Sequence, residues 1–246
     1  MCIRERIPGI NGQDGSYLAE LLLDKGYTVH GTVKRNSVSE TQTSRLSEDV
    51  YQQLRLHYAD LTDLASLIHV IRTTQPDEIY NLAAQSHVRV SFDQPIYSAQ
   101  ATGVGVLNVI EAARQVSPQS KIYQASSSEM FGNNIDTDGY QRESTPMSPV
   151  SPYGCAKVYG YNICRNYRNS YDMFISNGIL FNHESPRRGT NFVTNKVAKE
   201  AVRIKKGLTD KLVMGNMDAT RDWGHAKDYV NAMWLMLQQN TPDDYV

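Results

Sequence analysis

Two short segments carry four side chains that together could act on a hydroxylated substrate. Ser127 and Glu129 lie in the first, and Tyr153 and Lys157 follow about two dozen residues later. Residues four apart share a face of a helix, so a helix here would place the phenol of Tyr153 beside the ammonium of Lys157. That charge would favour the phenolate and bring a group with an ordinary pKa of ~10 into range for acid–base catalysis. In a chain with 15 tyrosines, an ordinary surface pair is the alternative.

A glycine-rich run near the start of the chain is typical of a phosphate-binding turn. Gly9, Gly12 and Gly15 have the spacing G-x-x-G-x-x-G and open a segment with helical periodicity. Glycines there permit a tight turn and let backbone N–H groups at a helix N-terminus approach a pyrophosphate. An ordinary glycine-rich turn is the alternative.

The charge that follows the next strand bears on the choice of dinucleotide. Sites for NAD usually carry an acidic residue near the end of that strand, where it holds the ribose 2′-hydroxyl. Here the strand ends in Lys34 and Arg35. Two basic residues suit a 2′-phosphate, so the sequence favours NADP over NAD, with a solvated basic turn as the alternative. Asp60, after the third strand, could accept a hydrogen bond from adenine or cap the next helix.

Composition limits the class of protein. The chain has 246 residues and a formal charge of −1, without the broad basic surface that nucleic acid or an anionic membrane would need. It has no apolar run of the roughly 18–20 residues that a membrane span requires, and no secretory signal at its start. Three cysteines without a Cys-x-x-Cys motif suit a reducing cytoplasm. We expect a cytoplasmic protein without a metal site.

Alternating strand-like and helix-like runs predict an α/β fold: a Rossmann-like, doubly wound parallel sheet with helices on both faces. Asp60 or Thr62 is predicted to cap the second helix and Gly26 to end the first, and 133–150 is predicted as a surface loop. We expect an NADP-binding domain at 1–178 and part of a smaller substrate region, interleaved with the sheet, at 179–246. Strands are predicted at 28–33, 54–58, 78–83, 121–125, 173–180 and 211–214, and helices at 16–25, 62–74, 95–115, 151–170, 190–206 and 225–239.

Both ends depart from what such a sheet needs. The first strand should be short and apolar, yet 3–8 contains three charged residues and ends in Pro8, which a buried central strand would not readily hold. At the other end, the sequence stops at 243–246, where another strand is predicted to begin. We therefore expect a truncated chain or an aberrant N-terminus.

These motifs together resemble the extended short-chain dehydrogenase/reductases, and longer strings resemble one branch of them, the GDP-mannose 4,6-dehydratase family. The match extends over nearly the whole chain from Gly9 onward. The short motifs are the glycine run, Asn81–Ala84, the Ser127–Glu129 segment and Tyr-x-x-x-Lys; the longer strings are Asn11–Tyr17, Ala84–Val88, 178–189 and Arg221–Val230.

The resemblance implies an internal oxidation, elimination and reduction of GDP-mannose by a homo-oligomeric enzyme, a dimer or tetramer. Tyr153 would take the proton of the sugar 4-hydroxyl, with Lys157 holding the nicotinamide ribose. Glu129 would remove the C5 proton and then assist loss of the 6-hydroxyl as water. Ser127, where the family usually has Thr, would hydrogen-bond the 4-oxygen.

The resemblance also adds binding residues to those already predicted from the glycine run and the basic residues after the second strand. The cofactor would contact Gly9, Gly12, Gln13, Asp14 and Gly15 at the start of the chain. The substrate would contact a second set of residues, some of which also contact the cofactor. The remaining cofactor residues are Lys34, Arg35, Asp60, Leu61, Leu82, Ala83, Ala84, Gln85, Ser86, Tyr97, Lys157, His183 and Arg188, and the substrate residues are Ser86, Glu129, Tyr153, Asn182, Val193, Lys196 and Arg221.

Structural alternatives remain for several of these residues. His183 could be a satisfied loop histidine and Arg187 a plain surface charge, whereas Trp223 and His225 are predicted to pack against or cap the last helix. The run Met233–Leu237 is predicted as core. At the level of function, the alternatives are another nucleotide-sugar dehydratase or an epimerase, and an inactive NADP-binding protein; an epimerase needs no base at C5, so Glu129 argues against it.

Overall fold

Strands and helices alternate along the chain in a computed structural model that describes residues 4–35, 45–215, 217–218 and 220–246. A π-helical stretch, Ala99–Val104, joins two of the helices, and a 3₁₀ turn, Ser128–Met130, follows the fifth strand. The strands are β1 (Arg4–Pro8), β2 (Thr28–Val33), β3 (Arg55–Tyr58), β4 (Glu78–Asn81), β5 (Lys121–Ser127), β6 (Ile175–Leu180), β7 (Asn182–Glu184), β8 (Trp223–His225) and β9 (Asp244–Tyr245). The helices are α1 (Gln13–Asp24), α2 (Glu48–Gln53), α3 (Leu64–Thr74), α4 (Val88–Asp93), α5 (Pro95–Ser98), α6 (Gly105–Val116), α7 (Pro152–Tyr171), α8 (Val193–Lys205) and α9 (Ala226–Leu237).

Among the described residues, seven parallel strands form the main sheet in the order β3-β2-β1-β4-β5-β6-β9, and β7 pairs in parallel with β8 in a second, two-stranded sheet. The strand order reverses between β1 and β4. In open sheets of this kind, ligands bind beyond the carboxyl ends of the strands at that reversal.

Helices cover both faces of the main sheet, as the alternation predicted. Neighbouring residues of a strand point to opposite faces. Tyr80 and Tyr123 therefore pack with α1 and α9, whereas Ile79 and Ile122 pack with α3, α6 and α7. The two apolar clusters fix the sheet between the helix layers and confirm the doubly wound Rossmann architecture.

The expectation that 3–8 would not form a standard first strand is wrong for the described residues. Arg4–Pro8 forms β1 in the middle of the sheet, between β2 and β4. Its ladder to β4 covers only Glu5 and Arg6, so Pro8 lies beyond that ladder, where its missing N–H costs little. The carbonyl of Pro8 still accepts a hydrogen bond from Leu82 N at 3.2 Å. Residues 1–3 lie outside the described part.

Two other local predictions are corrected. Residues 211–214 form no strand. The next strand that the structure describes is β8, which pairs with β7. The cap of α3 is Asp63, which accepts hydrogen bonds from Ala65 N and Ser66 N, while Asp60 accepts from Thr62 and pairs with Lys34. The cap differs because the helix begins at Leu64, two residues later than predicted.

Several local predictions are confirmed. Gly26 follows the end of α1 with a φ of +82°, a left-handed conformation that favours glycine, and 133–150 contains no helix or strand. His225 caps α9, whereas Trp223 is 53% exposed. Met233 and Leu237 are buried, as predicted for core, but Leu235 on the opposite face of α9 is exposed.

The predicted division of the chain between residues 178 and 179 falls within β6. Beyond that point, α9 packs against α1 and the central strands, and β9 pairs with β6. The region 179–246 is thus interleaved with the sheet. The division into domains stays a prediction. The described residues include no helix long and apolar enough to cross a membrane.

Candidate active site and cofactor cleft

The four residues predicted to do chemistry line one cavity of about 300 Å³ at the carboxyl ends of β5 and β6. Ser127 is the last residue of β5, and Glu129 lies in the 3₁₀ turn that follows. Tyr153 and Lys157 lie in the first two turns of α7, which Ser151 caps by accepting a hydrogen bond from Gly154 N at 3.0 Å.

The turn that carries Glu129 packs directly on the start of α7. A Cβ at Gly154 would lie 2.8 Å from the Glu129 carbonyl oxygen, so only glycine permits this approach. The backbone N–H of Glu129 donates to the Ser127 hydroxyl at 3.2 Å, which fixes the turn relative to β5. Glu129 therefore reaches the same cavity as Tyr153.

Burial controls the charge of the Tyr153–Lys157 pair. Lys157 is 5% exposed, and its ammonium donates to the Ala125 carbonyl at 2.7 Å and lies 5.6 Å from the centre of the Tyr153 ring. Burial lowers the pKa of Lys157 to about 8, against an opposing contribution from Asp14. The pair shares a face of α7, as the spacing predicted.

The expected lowering of the phenol pKa is not found. Burial raises the pKa of Tyr153 to about 12, although the hydrogen bond with Ser127 works in the opposite direction. Loss of hydration penalises the phenolate by more than the neighbouring groups favour it. The sequence revealed that the ammonium was near but not that both groups were buried.

A second cleft, of about 380 Å³, runs along the carboxyl ends of β1, β2 and β3. It shares Leu82, Ala84 and Ser86 with the catalytic cavity, so the two are continuous. The other predicted cofactor residues that line it are Gly9, Gly12, Lys34, Asp60, Leu61, Ala83 and Tyr97.

This cleft fits a dinucleotide. Gly9 has a φ of +84°, and a Cβ there would lie 3.0 Å from Ala83 N, so the turn needs glycine on two grounds. A Cβ at Gly15 would lie 2.4 Å from the Gly9 carbonyl oxygen, so the third glycine lets α1 approach the turn. The buried Asn11 side-chain oxygen at this turn has no protein hydrogen-bond partner among the described residues. The turn thus offers the close backbone approach that a pyrophosphate needs.

The two basic residues after β2, Lys34 and Arg35, lie in different surroundings. Lys34 lines the cleft and forms an ion pair with Asp60 at 2.9 Å, and it lies 5.4 Å from the centre of the Tyr97 ring. Arg35 is exposed, outside the cleft lining, with its guanidinium 5.9 Å from the centre of the Tyr58 ring. Asp60 is thus a partner of Lys34 and not a helix cap.

A third, outer cavity of about 690 Å³ adjoins the catalytic one. Both cavities are lined by Glu129 and Asn182, and Arg221 lines the outer one. Glu129 therefore lies at the junction between the inner and outer cavities. Val193 lines the inner cavity.

Five predicted site residues do not line these three cavities. Two of them have structural contacts: Gly15 packs on the phosphate turn, and the Lys196 ammonium donates to the Val213 carbonyl. Their assignments stay predictions. The five are Gln13, Gly15, Arg35, Gln85 and Lys196.

His183 and Arg188 both line the catalytic cavity. His183 is 6% exposed and makes a 2.7 Å contact with Asp14, so it is no ordinary loop histidine. Arg187 is not a plain surface charge, because its guanidinium contacts Glu20 at 2.5 Å and Ser16 at 3.1 Å and covers the Tyr17 ring. These contacts bind the segment after β7 to α1.

Sequence reasoning missed part of the cavity wall. His87 and Phe192 line the catalytic cavity, with ring centres 5.8 Å apart, and Asn11 and Thr32 line the cofactor cleft. The glycine run contained Asn11, and its position between two glycines was the available signal. Nothing in the local pattern marks Phe192, which reaches the cavity through tertiary packing.

The chain is similar to known proteins along nearly its whole length. The family model described as GDP-mannose 4,6 dehydratase matches residues 7–246. A GDP-mannose 4,6-dehydratase from Yersinia enterocolitica is 53% identical over 98% of this chain and 66% of its own length. The chain spans about two thirds of the length of the curated relatives it matches.

Solved structures share the fold at low sequence identity. A dTDP-glucose 4,6-dehydratase from Streptomyces venezuelae, with NAD bound, has a TM-score of 0.84 and 21% identity over 99% of this chain and 74% of its own. A UDP-glucose 4-epimerase from Thermus thermophilus in complex with NAD has a TM-score of 0.83 and 24% identity over 99% and 77%. The fold is therefore shared between dehydratases and epimerases, and the sequence match separates them: this chain belongs to the GDP-mannose 4,6-dehydratase family.

Proposed function

We propose that the protein is a hydro-lyase that converts GDP-α-D-mannose to GDP-4-dehydro-6-deoxy-α-D-mannose and water. The single observation that carries this proposal is the position of Glu129 in one cavity with Ser127, Tyr153 and Lys157, continuous with a dinucleotide cleft. Oxidation needs the phenol and the ammonium, and elimination needs a carboxylate in addition. The family match and the identity to relatives of that name support the substrate.

Tyr153 and Lys157 serve the oxidation step. Tyr153 accepts the proton of the sugar 4-hydroxyl, and Ser127 hydrogen-bonds the same oxygen. A bound nicotinamide supplies the hydride acceptor, and its positive charge when oxidised favours a phenolate nearby. The Lys157 ammonium, held by the Ala125 carbonyl, adds positive charge close to the phenol.

Glu129 serves the elimination step. A 4-keto group acidifies the neighbouring C5–H bond, and the carboxylate of Glu129 removes that proton. The same carboxyl group, now protonated, donates to the 6-hydroxyl as it leaves as water. When bound, the nicotinamide would supply the hydride for C6 while a proton is restored at C5, so no cofactor would be consumed overall.

We propose NADP as the cofactor. Lys34 lies in the cleft lining beside Asp60 and Tyr97, where its ammonium can meet a 2′-phosphate. Arg35, the next residue, is exposed outside the cleft lining and adds a second positive charge. Replacing both with Ala should weaken binding of NADP⁺ much more than binding of NAD⁺ in calorimetry. Equal losses for the two cofactors would contradict the 2′-phosphate argument.

The outer cavity is the proposed site for the rest of the sugar nucleotide. Arg221 supplies a guanidinium that can bind a diphosphate through two hydrogen bonds, and Asn182 joins the outer cavity to the catalytic one. From the family resemblance, we further propose a cytoplasmic homo-oligomer, a dimer or tetramer.

The direct test is incubation with GDP-mannose and NADP⁺. The 4-keto-6-deoxy sugar nucleotide should form, detected by NMR, with no net NADPH. Turnover of a UDP- or dTDP-sugar in its place would favour another nucleotide-sugar dehydratase or an epimerase. Calorimetric binding of NADP⁺ without turnover of any of these sugars would favour an inactive binding protein.

A further inference from the structure

The ring of His183 meets a hydrogen-bond acceptor at each of its two nitrogens. Nδ1 lies 2.8 Å from the Phe181 carbonyl oxygen, and Nε2 lies 2.7 Å from Oδ2 of Asp14. A carbonyl oxygen and a carboxylate accept hydrogen bonds but donate none, so each ring nitrogen must carry a hydrogen for both contacts to form. A ring with two N–H groups is an imidazolium.

The partner of this ring is a charged carboxylate. Burial acts to raise the pKa of Asp14, but the hydrogen bond and charge of His183, together with the Gln13 hydrogen bond and the Arg188 charge, outweigh it, and the pKa lies below its ordinary value. Burial acts to lower the pKa of His183, but the hydrogen bond and charge of Asp14, together with the Phe181 carbonyl, outweigh it, and that pKa is raised. Oδ1 of Asp14 accepts a further hydrogen bond from Gln13 at 3.0 Å.

Groups from several elements face this pair. The Tyr229 ring, from α9, stacks on His183 with ring centres 4.4 Å apart and an angle of 20° between the planes. An aromatic face attracts a cation. Arg188, after β7, repels the imidazolium, and Asp14 in turn acts on Lys157 and Tyr153 of α7. Two of these groups, the Asp14 carboxylate and the Tyr229 ring, favour the charged ring directly.

The pair also joins two parts of the site. Asp14 lies in the first turn of α1, directly after the phosphate turn, and His183 lies in β7 beside Asn182 of the cavity wall. Gln13 reinforces the connection by donating to the His183 carbonyl at 3.1 Å and accepting from the Ser185 hydroxyl at 2.8 Å. The position of β7 is thereby fixed relative to the turn that would hold a pyrophosphate.

The charge of His183 has a second consequence. A carboxylate in the first turn of a helix stabilises that helix, but Asp14 also lines the catalytic cavity, where it would repel an anionic ligand. The positive imidazolium lies within hydrogen-bond distance of Asp14 and neutralises its negative charge. An uncharged side chain at position 183 would leave the repulsion in place.

We propose that Asp14 and His183 form a charged positioning pair, in which His183 is a fixed imidazolium that neutralises Asp14 and ties the phosphate turn to β7, and takes no part in proton transfer. Its role in turnover rests on the proposed dehydratase function. Its effect on NADP⁺ binding rests on the proposed cofactor, whereas its charge state rests on neither.

Nitrogen-15 NMR of histidine-labelled protein tests the charge state. Among the six histidines, the His183 signals should show both ring nitrogens protonated at pH 7.5. His225 is an internal contrast, because its Nδ1 accepts the Lys227 N–H at 3.1 Å and must lack a hydrogen. The signal is identified by its loss in H183Q or by its change to a neutral ring in D14N. A neutral His183 in the wild-type protein at pH 7.5 would overturn the proposal.

A double-mutant cycle tests the neutralising role, with the Kd of NADP⁺ measured by calorimetry. H183Q should raise that Kd at least about tenfold, because it leaves the Asp14 carboxylate uncompensated. In the D14N background the same substitution should change the Kd by less than about threefold. D24N, at the exposed far end of α1, is the matched control and should leave the Kd unchanged.

Equal effects of H183Q in both backgrounds would overturn the proposal. Wild-type protein that binds no NADP⁺ would instead contradict the proposed function, and the NMR result would still decide the charge state. The two failures are therefore distinguishable.

Discussion

At the scale of single residues, burial decides the chemistry of the candidate site more than proximity does. Tyr153 and Lys157 are neighbours on α7, yet the pKa of each moves in the direction that disfavours its charged form. Their types and spacing could be read from the sequence. Their burial could not, because it depends on β5 and β6 packing over the start of α7.

The lowered pKa of Lys157 predicts a pH-dependent cost in stability. Below pH 8 the lysine is charged in both the folded and unfolded states, and the full burial penalty applies. Between about pH 8 and the ordinary value of 10.5, only the unfolded state keeps the proton, so stability rises with pH. K157M should therefore unfold at a higher urea concentration than the wild type at pH 7. Its free energy of unfolding should be higher by up to about 3 kcal/mol, and this difference should narrow toward pH 10.5.

Urea denaturation between pH 7 and 10.5 measures this difference. K205M, at the exposed end of α8, removes the same charge without burial and should show a small, pH-independent difference. A constant gap for K157M across this range would show that burial does not depress the pKa of the lysine.

Glu129 should be needed for elimination but not for binding the cofactor. E129Q keeps the shape of the side chain and removes its basicity, so kcat for formation of the 4-keto-6-deoxy product should fall about 10²- to 10⁴-fold. The Kd of NADP⁺ should change by less than about twofold, because Glu129 does not line the cofactor cleft. E143Q, in the loop over 133–150, is the control and should turn over normally. A full rate for E129Q would remove Glu129 from the mechanism.

At the scale of elements, the phosphate turn and α1 form a unit whose geometry depends on glycine. Gly12 caps α1, while Gly9 and Gly15 let the turn and the helix approach each other and the segment after β4. The G-x-x-G-x-x-G spacing predicted this unit. The contact between Gly15 and the Gly9 carbonyl gives the third glycine a packing role in place of a direct ligand contact.

G15A should disturb the turn. Its Cβ would lie 2.4 Å from the Gly9 carbonyl oxygen and 2.7 Å from the Ile10 Cα, both of them backbone atoms that cannot rotate away. We expect a loss of about 1–3 kcal/mol in urea denaturation, together with weaker NADP⁺ binding. G215A is the control, since a Cβ there meets no atom of the described residues within 4 Å. Unchanged stability of G15A would show that the turn adjusts freely.

At the scale of the whole molecule, a buried carboxylate fixes the last strand to the catalytic helix. Asp244 of β9 accepts hydrogen bonds from Arg168 and Tyr161 of α7 and from Asn177 of β6. Its side chain is 8% exposed, and that of Arg168 is 14% exposed. These contacts connect the edge of the main sheet to the helix that carries Tyr153 and Lys157.

D244A should destabilise the fold by about 3 kcal/mol, because it leaves the buried guanidinium of Arg168 without a carboxylate. Urea denaturation measures the loss, and D243A, at the exposed neighbouring position, should cost far less. Equal costs for the two variants would contradict an anchoring role for Asp244.

The sequence by itself predicted most of the periodic elements and the glycine turn, because these depend on local spacing, and its family resemblance named the four residues of the proposed chemistry. Tertiary structure decided the rest. β1 forms at Arg4–Pro8 despite its charges and proline because β2 and β4 supply backbone partners on both sides. The Asp14–His183 contact spans 169 positions of the chain, and only the packing of β7 on the start of α1 brings the two together.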